Sequence, residues 1–250
     1  MLGNEPFQAC VSDGWRLSMK AVTELEELEE EEFVPELTEF RAAVDRIKNR
    51  RDSILIKALY LLALRVNEIT TRVSPSVLKR GTEPLGQYIS CRIGHYRILD
   101  SNTLSYRDER AAVFRCAVLK RKPKSKKKRH VYKVVALPCD PKYEPWTVHL
   151  LRWFKEKNGL GFPITESQVR RIVRKHLSIL DPKVHPHSLR HWRASHLVNY
   201  YGFDSWELCA YLGWSHKSMF SRMGMPVGKS DIYVHIAWKR YFPKLLIPMV

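Results

Sequence analysis

Two anion-seeking side chains stand three residues apart in HPHSLRHWRASHLVNYYGF: His187 and Arg190, with His191 beside them. Leu197, Val198, Tyr201, Leu208, Leu212 and Trp214 follow at roughly helical spacing, which puts His187 and Arg190 on one face of a helical start. An imidazole and a guanidinium on one face make a place for an anion. Chemistry at that anion needs a nucleophile and more positive charge, drawn from elsewhere in the chain.

Arg65 is the next cation whose position is informative. It follows YLLAL at the edge of a core-forming segment, where a buried unpaired guanidinium would be very costly, so it must reach solvent, a carboxylate or an anion. Glu68, three residues on, offers a plain surface ion pair as the competing reading. A lysine-rich stretch, Lys120-Arg-Lys-Pro-Lys-Ser-Lys-Lys-Lys-Arg129, lies between two strand-like runs, AAVFRCAVL and HVYKVVALP. These read as a hairpin with Pro-Lys-Ser at its turn, and if the first strand continues to the tip, Lys120, Lys122 and Lys124 share one face. Such a hairpin suits a DNA groove or a phosphate, and a localisation-type charge run reads equally well from the same residues.

The elements that must position these groups are mostly helical. Ala43, Ile47, Ile54, Leu55, Ala58, Leu59, Leu62 and Leu64 predict a long helical stretch from about Phe40. Residues 74–94, rich in Pro, Ser and Gly, read mostly as loop, and HYRILDSN as a strand. YEPWTVHLLRWFKEKN predicts a helix that stops at Asn158-Gly159, and Thr165 with Gln168 makes a capping box ahead of Val169, Ile172, Val173 and Leu177. The other side of that helix carries Arg170, Arg171, Arg174 and Lys175, which serves a DNA-facing surface or a solvated one. SHKSMFSRMGMPVGKS reads as loop ahead of Asp231-Ile-Tyr233, and Pro243 and Pro248 forbid a long final helix.

Over 250 residues, 43 Lys+Arg against 26 Asp+Glu give a net charge of +17, a balance that favours polyanions such as nucleic acid. Residues 1–40 run against this charge, with seven glutamates between Glu24 and Glu32, and read as an acidic extension or linker ahead of one domain over 41–250. Five scattered cysteines without a C-x-x-C pair point to neither disulfides nor zinc. With no signal-peptide pattern and no long apolar run, a soluble, intracellular protein is expected.

Taken in order, Arg65 in LLALRVNEI, the lysine hairpin ending in VALP, HSLRHWRASHL, YLGW and DIYVH resemble the boxes of the tyrosine recombinase catalytic domain, the phage and archaeal-virus integrase family. The resemblance runs from about residue 45 to 240. It implies an α+β fold, mainly α-helical, in which a helical bundle carries a small antiparallel three-stranded sheet. It also implies site-specific strand breakage and rejoining in double-stranded DNA, with no cofactor and no metal. Tyr233 would attack the phosphodiester, and Arg65 and Arg190 would neutralise charge on its non-bridging oxygens. Lys122 or Lys124 would protonate the leaving 5′-oxygen, while His187 and Trp214 would orient the phosphate. Self-association as a tetramer on DNA is implied as well.

Several features depart from that family. Ala63-Leu64 stands where it usually has Thr-Gly, and Tyr233 comes 19 positions after Trp214, a long tether that fits delivery of the tyrosine in trans. Tyr241, in WKRYFP, is the rival nucleophile. A separate helical clamp domain for DNA cannot be made from the acidic first 45 residues. Type IB topoisomerase-like relaxation and a catalytically inert DNA-binding protein of the same fold are the competing functions.

Overall fold

Asn49 interrupts the helical stretch predicted from Phe40. Its side chain accepts the Asp52 backbone N–H at 3.1 Å and starts a new helix. The stretch therefore becomes α1 (Leu37–Asp45), α2 (Arg50–Leu61) and, after a second break at Ala63, the single turn α3 (Val66–Ile69). This computed structural model describes residues 33–72, 88–119, 131–214 and 238–248. Contacts divide the chain between Val34 and Pro35, and every element named here belongs to the Pro35–Val250 unit.

Three antiparallel strands follow in the order β1-β2-β3: β1 (Ile89–Asp100), β2 (Ser105–Val118) and β3 (Val131–Pro138). β1 begins inside the stretch expected to be loop. Residues 89–94 pair with β2 from Ile89↔Cys116 to Gly94↔Ala111, and the ladder overrides their weak strand propensity. Gly94 is needed there, because a Cβ would lie 3.0 Å from Val113 Cγ2 and 3.4 Å from the Trp238 ring. The β2–β3 pairing matches the expected hairpin, whose lysine-rich tip lies outside the described residues.

The remaining helices are α4 (Thr147–Glu156), α5 (Glu166–Leu177), α6 (Pro186–Asn199), α7 (Ser205–Leu212) and a last turn, α8 (Trp238–Tyr241), which passes into the 3₁₀ turn Phe242–Leu245. α4 stops as predicted, with Asn158 and Gly159 both at positive φ. The Thr165–Gln168 capping box is formed. Tightly buried Phe40, Tyr60, Trp146 and Trp192 join α1, α2, α4 and α6 in one core. The C-terminal turns cover the other face of the sheet, where Phe242 packs with Ala111, Val113 and Ala136. The architecture is the predicted one: α+β, mainly helical, with one small antiparallel three-stranded sheet. Among the described residues no helix is long and apolar enough to cross a membrane.

Candidate active site

α2 ends in a Schellman motif with alanine where glycine is usual. Ala63 N–H bonds Tyr60 O at 3.0 Å, Leu64 N–H bonds Leu59 O at 3.1 Å, and Ala63 takes φ +44°. A left-handed alanine costs roughly 1–2 kcal/mol. Two cations from distant parts of the chain meet this turn. Arg190 Nη1 donates to the Ala63 carbonyl, and Lys133 Nζ donates to Leu62 O at 2.5 Å and Ala63 O at 2.8 Å. The turn that sequence comparison left open at Ala63-Leu64 is thus held from outside its own helix.

Arg190 uses its other arm on Leu212 O, at 2.6 Å. Both of its acceptors close helices, α2 and α7, where unpaired carbonyls carry the negative end of the helix dipole. α7 closes on Gly213 at φ +70°, and a Cβ there would come within 3.0 Å of Val118 and 3.1 Å of the Lys133 side chain, so glycine is required both by conformation and by crowding. Trp214 follows immediately, its backbone N–H on Cys209 O at 3.0 Å and its ring centroid 5.9 Å from Arg190 Cζ.

Arg65 caps α3. Its backbone N–H donates to Glu68 Oε2 at 2.8 Å, and its Nη1 pairs with Glu68 Oε1 at 3.1 Å. Glu68 is 1% exposed and also receives the Leu119 N–H at 3.3 Å, so the ion pair expected at the surface is half interior. This one buried carboxylate pairs with Arg65 and acts through its charge on Arg190 and Lys133 as well. Burial and then the charge of Arg65 push Arg190 down to about 10, with Glu68 opposing. Lys133 falls to about 7 through burial first and Arg190 next, again with Glu68 opposing. Both shifts come first from burial, and a neighbouring cation adds to each.

His187 lies on the first turn of α6, as its spacing to Arg190 predicts. Its ring meets His191 edge-on at 4.4 Å between centroids. Desolvation, then His191, Arg190, His185 and Arg65, lower its pKa to about 4, so at neutral pH it is an uncharged donor and acceptor. Among the described residues no group of three or more His, Cys, Asp or Glu could hold a metal ion.

The structure thus gathers Arg65, His187, Arg190 and Trp214 from three separated segments. Lys122, Lys124 and Tyr233 lie outside the described residues. The rival nucleophile Tyr241 is excluded by its surroundings. It is 0% exposed, its hydroxyl donates to Val134 O and accepts from Ala136 N–H, both at 3.1 Å, and burial drives its pKa far up. It is a strand-to-tail clasp. Lys133 was missed by sequence reasoning, although the signal was present: in VYKVVALP the period of two puts it on the inward face with Val135 and Leu137.

No family model and no curated protein matches the sequence. Similar solved structures include the Tn1549 transposon integrase in complex with transposon right end DNA, at 14% identity and a TM-score of 0.42, covering 81% of this chain and 64% of that one. Another is the same integrase in complex with circular intermediate DNA, also at 14% identity and a TM-score of 0.42, covering 91% of this chain and 86% of that one. The chain thus spans less than two thirds of the first of these structures. At such low identity the similarity assigns no residue a role.

Proposed function

We propose that the protein is a site-specific recombinase or integrase that breaks and rejoins double-stranded DNA through a 3′-phosphotyrosyl intermediate. The observation that carries this reading is the gathering of Arg65, paired with buried Glu68, and Arg190, which shares the Ala63 carbonyl with Lys133, next to neutral His187 and the Trp214 indole. A phosphodiester gains negative charge on its non-bridging oxygens as it is attacked, and two guanidiniums that stay charged at any working pH suit that change. The +17 net charge supports a polyanionic substrate over a small one.

In this mechanism the Tyr233 oxygen attacks phosphorus and gives up its phenolic proton, with the uncharged His187 ring as the acceptor we assign to it. The bond from phosphorus to the 5′-oxygen breaks, and that oxygen takes a proton from Lys122 or Lys124 to leave as a hydroxyl. A 5′-hydroxyl on a partner strand later attacks the phosphotyrosine, reversing each step and releasing the tyrosine. No co-reactant is consumed. Four such subunits on DNA would exchange strands, and the 19-residue tether from Trp214 allows Tyr233 to serve a neighbour's site.

A duplex nicked near the scissile phosphate loses its short 5′-hydroxyl fragment on cleavage and traps the protein on DNA. The wild-type chain is expected to form this adduct, and Tyr233→Phe is not. DNA binding without an adduct in wild type would overturn the enzyme reading. Relaxation of supercoils without recombinant products would replace it with a topoisomerase. Mixing Arg190→Met with Tyr233→Phe is expected to restore cleavage if the tyrosine is delivered in trans.

A further inference from the structure

Lys133 is 4% exposed and lies on the inward face of β3, opposite Cys116 of β2. Its ammonium is anchored at the end of α2, on the carbonyls of Leu62 and Ala63, and cannot touch a substrate from there. It shares the Ala63 carbonyl with Arg190, the side chain that spans the ends of α2 and α7. The charged or titratable groups that act on it are Arg65 and Glu68 from α3, Arg190 from α6 and Cys116 from β2. We infer that Lys133 is a positioning residue that braces the left-handed turn ahead of Arg65 and couples anion capture by Arg65 and Arg190 to uptake of a proton on its own amine.

The coupling follows from charge. Three cations crowd one carboxylate, and the lysine is the member that yields its proton most readily, with a value near 7 set by burial and by Arg190. An anion seated between the arginines cancels part of their field and favours the ammonium again. Binding then draws a proton from solution at any pH between the free and the bound values of Lys133. Below both values the lysine is charged with or without the anion, and affinity is flat. Above the free value affinity falls as pH rises, by about tenfold for each unit that the anion raises the lysine. Neutral or charged, the amine keeps donors for the two carbonyls, so the turn persists while its electrostatics change. The inference rests on the arginine pair as an anion site and not on strand cleavage, so an inert DNA-binding protein would show it equally.

Inorganic sulfate is a suitable probe because it does not titrate in this range. In the full chain with ¹³C-labelled lysine, the Cε resonance missing from Lys133→Arg identifies Lys133. Its midpoint is expected near 7 without sulfate and at least one unit higher at saturating sulfate, and Arg190→Met is expected to abolish the shift. Sulfate affinity of wild type should fall about tenfold between the free and the bound midpoints, while folded Lys133→Arg, permanently charged, should bind with a flat profile. Lys133→Met should lose both the turn and the pH response. If it fails to fold, Lys133→Arg alone decides. A Lys133 midpoint unmoved by sulfate that perturbs Arg190, or a pH response retained in Lys133→Arg, would overturn the inference whatever the outcome of the cleavage assay.

Discussion

Arg190 and Arg193 stand one turn apart on α6, and both are 1% exposed. Each leaves one nitrogen without a hydrogen bond among the described residues, Nε of Arg190 and Nη1 of Arg193, so counting bonds does not separate them. Their electrostatic surroundings do. Arg193 is enclosed by Tyr60, Tyr201 and Tyr211, with ring centroids 5.2 to 5.5 Å from its Cζ, and bonds the Tyr211 hydroxyl through Nε and Nη2. Burial opposes its charge, but the Tyr211, Tyr60 and Tyr201 phenols and the Glu144 carboxylate outweigh it, and its pKa is raised. Arg190 has carbonyls as acceptors and Arg65 as a neighbour, and its pKa is lowered. The surroundings of one buried cation favour its charge and those of the other oppose it, and under the proposed function an anion would supply what Arg190 lacks.

Arg190→Met should give the largest effect. Loss of one transition-state donor is expected to slow single-turnover cleavage by about 10²–10³, with little change in melting temperature, since removing a cation repelled by Arg65 offsets the lost carbonyl bonds. Arg193→Met should do the reverse. Emptying the tyrosine cage is expected to cost about 3 kcal/mol in urea unfolding and to leave the cleavage rate of the folded fraction unchanged. If both variants lost only stability, the contrast between the two arginines would fail.

A pH titration sharpens the same contrast. His196, in the Arg193 region, donates from Nε2 to Pro35 O at 2.8 Å and accepts the Tyr60 hydroxyl at Nδ1 at 2.7 Å, an arrangement only the neutral ring can make. Burial, with Arg193 and Arg41, lowers its pKa to about 4. The unfolded chain binds a proton near pH 6.5 that the native ring refuses until about 4. Stability should therefore be lost as pH falls through that window, by roughly 3 kcal/mol in total. His196→Gln should flatten this loss in urea titrations at stepped pH, whereas His187→Gln should act chiefly on the cleavage rate.

How much of this was legible in the sequence depended on range. The Thr165 capping box, the stop at Asn158-Gly159 and the placing of His187 three residues before Arg190 are local, and each formed as read. The break at Asn49 was hidden because the apolar spacing continues across it. The left-handed turn at Ala63 was hidden for a different reason: its residue is the wrong type, and what holds it comes from Lys133 and Arg190, 70 and 127 residues away. Tyr241 stood behind Tyr233 as the rival nucleophile, and its burial was hidden because the neighbouring Phe242 carries the segment onto the sheet. All seven proposed site residues were named from motif order, and four of them, Arg65, His187, Arg190 and Trp214, lie among the described residues. The uneven charge around them could not, since it depends on a single carboxylate and an inward lysine. The smallest of the predictions follows from the same turn: Ala63→Gly removes left-handed strain and should raise stability by about 1 kcal/mol in urea unfolding, net of glycine's extra unfolded-state entropy.

The central claim is that the arginine pair presents a DNA phosphate to Tyr233. Mass spectrometry of the peptide bound to a nicked suicide duplex tests it most directly. The account predicts one modified peptide, carrying the nucleotide adduct on Tyr233, in wild type and at a level reduced about 10²–10³-fold in Arg190→Met at early times. An adduct on any other residue, or none in wild type on DNA that it demonstrably binds, would contradict it.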